Sequence, residues 1–136
     1  MNPPLKHQLL IDSQSFTIPC PDPSLFEDEK ESFRWCCEPV TDEINFLPNL
    51  LEDEAKNKPR RLLKGDEYHC GVCALSFFDS LLNAKKQFNK YPLNTRSKLG
   101  YTHVATGPLS KSDGIMSSVN NKGHFLFYEY VGCDLS

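Results

Sequence analysis

The sequence predicts an α+β chain. A central amphipathic helix, about residues 71–90, packs on a C-terminal three-stranded antiparallel meander, about residues 101–131, behind a Pro-rich, acidic N-terminal arm. Three observations carry that prediction. An apolar stripe of Ala74, Phe77, Phe78, Leu81, Ala84 and Phe88 recurs at the three- and four-residue spacing of one helix face. Runs rich in aromatic and β-branched residues follow it, separated by turn-forming stretches. Ahead of both, Pro19, Pro21 and Pro23 alternate, and residues 22–54 hold eleven acids against two bases.

Taken in order, residues 1–26 read as extended or looped, because proline fixes φ and removes a donor. Ser24 with Glu27 three positions on suggests a capping box opening a short helix through Phe33, which Pro39 stops. Ile44, Phe46, Leu47, Leu50 and Leu51 suggest a second short helix or irregular element, interrupted at Pro48. A strand near Arg61–Leu63 is a further option. The main helix starts near Cys70–Gly71 and ends at Pro92. The three strands are GYTHVATGPL, IMSSV and HFLFYEYV, with turns at SKSDG and NNKG, and Asp113-Gly114 is a hairpin signal.

A chain of 136 residues fits a single domain, 1–136, with an arm at 1–55, a basic connector at 56–65 and the core at 66–136. Its 39% hydrophobic and 24% charged residues describe a globular chain rather than a disordered one. No apolar run approaches the roughly 20 residues that span a bilayer, and MNPPLKHQLLIDSQSF lacks the pattern of a signal peptide. The expectation is a cytoplasmic protein without a membrane partner. In that reducing setting the six cysteines read as free thiols or metal ligands.

The segment HCGVCALSFFDSLLNAKKQF carries most of the candidate chemistry. Cys70 and Cys73 have the C-x-x-C spacing that supplies two zinc ligands from one turn, and His69 is adjacent. A second C-x-x-C is missing. A redox pair would want an apolar strand just before the motif, and LLKGDEYH is too polar for that. A cysteine at a helix start is a partly activated nucleophile, and His124 opens the most strand-like run. The pairing CGVCAL…GHFLFY resembles the Cys box and His box of bacteriocin-processing and related small papain-like peptidases. That resemblance implies Cys70 as nucleophile and His124 as base. Apart from it, His103 in YTHVATG is a second candidate base. The family's oxyanion-hole Gln has no counterpart in RRLLKGDEYH, and Asn120, Asn121, Asp113 or Asp134 would have to orient the His.

No phosphate-binding glycine motif occurs. The basic cluster Lys56, Lys58, Arg60, Arg61 and Lys64 could touch phosphates, but the net charge of -3 argues against a dedicated nucleic-acid binder. The acidic run that includes Glu52, Asp53 and Glu54 beside that cluster instead suits docking onto a protein. The sequence therefore reads first as an accessory or regulatory protein-binding module without a cofactor, leaning away from an enzyme. The alternatives are a papain-like cysteine hydrolase or acyltransferase using Cys70 and His124, and a structural zinc domain using Cys70, Cys73 and His69.

Overall fold

The computed structural model describes residues 3–39, 42–56 and 65–135. Its sheet is built from β1 (Lys30–Cys36), β2 (Leu75–Phe78), β3 (His103–Leu109), β4 (Gly114–Met116) and β5 (His124–Glu129). These five strands lie in the order β3-β1-β2-β5-β4, every neighbour antiparallel. Successive side chains of a strand alternate between faces. The register Leu75↔Phe127, Ser76↔Leu126, Phe77↔Phe125 and Phe78↔His124 therefore sorts β2 and β5 together. One face carries the buried cluster of Leu75, Phe77, Met116, Phe125 and Phe127. The other carries Ser76, Phe78, His124 and Leu126.

Five short α-helices surround the sheet among the described residues: α1 (Gln8–Asp12), α2 (Asn49–Ala55), α3 (Asp66–Gly71), α4 (Leu81–Asn89) and α5 (Leu93–Leu99). A 3-10 turn at Glu43–Phe46 precedes α2, and Pro48 stands between the two. The first three helices and the α3–β2 junction contribute Ile11, Leu50, Cys70, Val72 and Cys73 to a second buried cluster, completed by Tyr128 of β5. α4 covers the Phe78 face, where the Trp35 indole N–H donates to the Ala84 carbonyl at 2.9 Å.

The chain is α+β, but the arrangement differs from the sequence prediction. The helix predicted over 71–90 is two elements, β2 followed by α4. Phe77 and Phe78 satisfy a helical stripe and a strand equally, and the Ser80 hydroxyl, accepting from the Asn83 N–H at 3.1 Å, fixes the helix start after them. The three C-terminal strands exist but form no meander. β3 pairs along its length with β1, from Lys30↔Leu109 to Cys36↔His103, and β2 and β1 stand between it and β5. The Asp113-Gly114 signal marks a local turn, in which the Asp113 carboxylate accepts from the Ser110 N–H at 2.7 Å, and β4 pairs with β5 alone among the strands.

The N-terminal arm is also part of the sheet. The segment expected to be a capped helix through Phe33 holds strand β1. Lys6 donates its backbone N–H to the Glu129 carbonyl at 2.8 Å, and Phe26 and Met116 exchange backbone bonds at 3.0 and 2.8 Å, closing the outer side of β4. Pro108, which cannot donate, sits on the other edge strand, β3.

Candidate functional site

Trp35 projects from β1 onto the same face as Phe78, their rings 5.1 Å apart, and Phe88, Tyr91 and Tyr101 surround it at 5.5, 6.1 and 5.8 Å. Beside this cluster a groove of about 840 Å³ runs between α3 on one side and the end of α4 on the other. Small-molecule pockets usually measure about 300–1,000 Å³. Its floor includes Trp35, Phe78 and Leu126, and its rim includes Tyr68, Tyr91 and Lys122.

The groove passes over the line where β1 meets β2. The two strands share one register pair, Phe33↔Phe78. Beyond it the buried Arg34 guanidinium donates to the carbonyls of Ser76, Asn45 and Leu47 at 2.9, 2.8 and 3.0 Å. The N–H groups of Leu50 and Asn49 satisfy the carbonyls of Val72 and Ala74 farther along the same edge. Glu52 lies 3.8 Å from Arg34 and also accepts from Lys56 at 2.8 Å and from the Tyr101 hydroxyl at 2.6 Å. Burial pulls the Arg34 guanidinium below its ordinary value, and Glu52 works against that pull. For Lys56, burial pulls down, and the Glu52 carboxylate together with Cys37 more than reverses it, so the net direction is up.

The sequence-predicted residues scatter. Cys70 is bonded to Cys20 in a disulfide and lies in the buried cluster, so its sulfur is not a free thiol here. The Cys70 sulfur also meets the Tyr128 hydroxyl at 3.3 Å. His124 lines the groove, stacked edge-on against Phe78 at 5.5 Å, whereas Cys70 is absent from the lining. Burial lowers the His124 pKa, and Lys122 adds to the shift. His103 is exposed on edge strand β3, its Nδ1 at 2.7 Å from the Thr102 hydroxyl. His69 is buried, bonded to Gln14 at 2.9 Å and packed on Phe16, and the Cys73 thiol donates to its carbonyl at 3.7 Å. Among the described residues no group of three or more His, Cys, Asp and Glu could hold a metal.

The expected docking charges divide. Glu52 and Asp53 are 3% and 2% exposed, inside the fold rather than on a docking surface. Glu54 is exposed, and Lys56 is half-buried on Glu52. Lys58, Arg60 and Arg61, with the option of a strand near them, fall outside the described residues. Two of the six cysteines, expected as thiols or ligands, form the disulfide.

Sequence reasoning missed the groove and the cations beside it. Residues 80–112 contain six bases and no acid. That signal disappears when charge is summed over 66–136, where seven bases meet six acids. Among the described residues no helix is long and apolar enough to cross a membrane. No protein-family model, no curated protein and no solved structure matches the chain.

Proposed function

We propose that this chain is an accessory protein-binding module that takes a segment of a partner protein into the groove between α3 and α4. The observation that carries the reading is the groove itself, aromatic on its floor and polar at its rim. The cysteine-hydrolase reading needs a Cys70 thiolate facing His124, and the Cys20–Cys70 bond supports packing as the role of Cys70. The same disulfide favours an oxidising compartment over the cytoplasm.

Benzoylphenylalanine at Tyr91, inside the groove, and at Leu9, an exposed position on α1, tests the reading. A partner crosslinked from Tyr91 and not from Leu9, then purified, should change the fluorescence of Trp35, the one tryptophan in the chain. Identical crosslinking from both positions, or an unchanged Trp35 signal with the purified partner, would remove the proposal.

A further inference from the structure

We infer that the partner's docking segment is acidic, held by the cations of the successive helices α4 and α5 and anchored by an apolar side chain on the groove's aromatic floor. The inference rests on the groove reading above and adds the chemistry of its occupant. Lys85, Lys86, Lys90 and Lys98 are exposed and Arg96 is half-buried. None of the five is in an ion pair among the described residues. Lys86 on α4 and Lys90 just past its end are four positions apart, and Lys90 and Lys122 both line the groove. Glu67 on the far wall is the lining's one exposed carboxylate.

Cations near a helix C-terminus also complement the helix dipole. That explains Lys86, Arg96 and Lys98 in part. It does not explain why no acid answers them anywhere in 80–112. α5 adds an independent observation. It has seven residues, none of them buried, and Leu93 at its start is 73% exposed. So short a helix draws its stability from packing, and a partner laid along α5 would supply that packing while pairing the cations.

A single-stranded nucleic acid shares the anionic chemistry but fits less well. It would need a succession of free ring faces to stack on. Phe78 is 6% exposed, the half-buried Trp35 already has four rings against it, and Tyr91 is the one groove aromatic that is exposed, at 40%.

Trp35 fluorescence on the intact oxidised chain reads the test. The probes are a glutamate–leucine peptide, the matching lysine–leucine peptide, oligothymidylate and phosphatidylserine vesicles. The glutamate peptide should bind saturably and roughly tenfold or more tighter than the lysine peptide, and should weaken as salt rises. The Lys86→Glu/Lys90→Glu double variant should lose that preference, while Lys111→Glu, outside both the groove lining and the α4–α5 segment, should keep it. Both substituted lysines are exposed, and an unchanged thermal midpoint verifies folding. Equal or tighter binding of the lysine peptide, or tighter binding of the oligonucleotide or vesicles, overturns the acidic segment. So does the absence of a saturable signal from the glutamate peptide. The Tyr91 crosslinking result decides separately whether the groove reading falls with it.

Discussion

The Arg34 guanidinium donates to the Ser76 carbonyl at 2.9 Å, from a strand that pairs with the strand of Ser76 only at Phe33↔Phe78. One side chain thus satisfies backbone carbonyls beyond the single register pair, and it lines the groove. The planar fork reaches three carbonyls in fixed directions, which an ammonium on a flexible stem does not reproduce. Removing it also strips Glu52 of a cationic neighbour inside the fold.

Arg34→Met is expected to destabilise the chain by about 3–5 kcal/mol, the cost of breaking a buried charge network from one side. Arg34→Lys should recover less than half of the loss. Urea unfolding followed by Trp35 fluorescence measures both. A loss under about 1 kcal/mol for Arg34→Met would mean that water replaces the guanidinium at those carbonyls.

The Cys20–Cys70 bond closes a separation of 50 residues and ties the N-terminal segment to α3. Chain-entropy arguments put such a crosslink at about 4 kcal/mol. Reductant should lower the unfolding midpoint of the wild-type chain and leave a Cys20→Ser/Cys70→Ser variant unmoved. If reductant affects both equally, the bond does not contribute as the structure has it.

The remaining thiols differ in access. Cys36, Cys73 and Cys133 are buried, and burial pushes their thiols up, to about 11 for Cys73 and about 12 for Cys133. Cys37 is only half-buried. Iodoacetamide at neutral pH should therefore modify Cys37 first, with Cys70 modified only after reduction. Mass-mapped labelling of Cys70 without reductant would restore the nucleophile reading and contradict the disulfide.

These tests address features that the sequence showed unevenly. The C-terminal strands were legible because aromatic and β-branched runs alternate between turns. β1 was hidden because Ser32, Arg34 and Cys36 form its more buried side while Phe33 and Trp35 stay half-exposed. That reverses the polarity a half-buried strand normally shows. β2 was absorbed into the helix stripe because Phe77-Phe78 fits both periods. Glu52 and Asp53 read as surface charge because the partners of Glu52 come from distant segments: Arg34 on β1 and Tyr101 just before β3. Pairing of Cys20 with Cys70 follows from folding the N-terminal segment against α3, a contact that cysteine spacing does not encode.

His124 supplies a pH test on the groove floor. Burial lowers its pKa below 6.5, with Lys122 adding to the shift, so the folded chain favours the neutral imidazole. A base whose folded pKa is depressed contributes stability above the unfolded pKa and loses it as pH falls toward the folded value, because the unfolded chain takes up the proton first. Stability should therefore decline as pH drops below about 6.5. His124→Phe retains a ring against Phe78 and should flatten that part of the decline, leaving the carboxylate losses at lower pH unchanged. Chemical denaturation at a series of pH values measures this directly. A His124→Phe profile parallel to wild type between about pH 7 and 5.5 would show that His124 is solvated in the groove rather than held neutral by it.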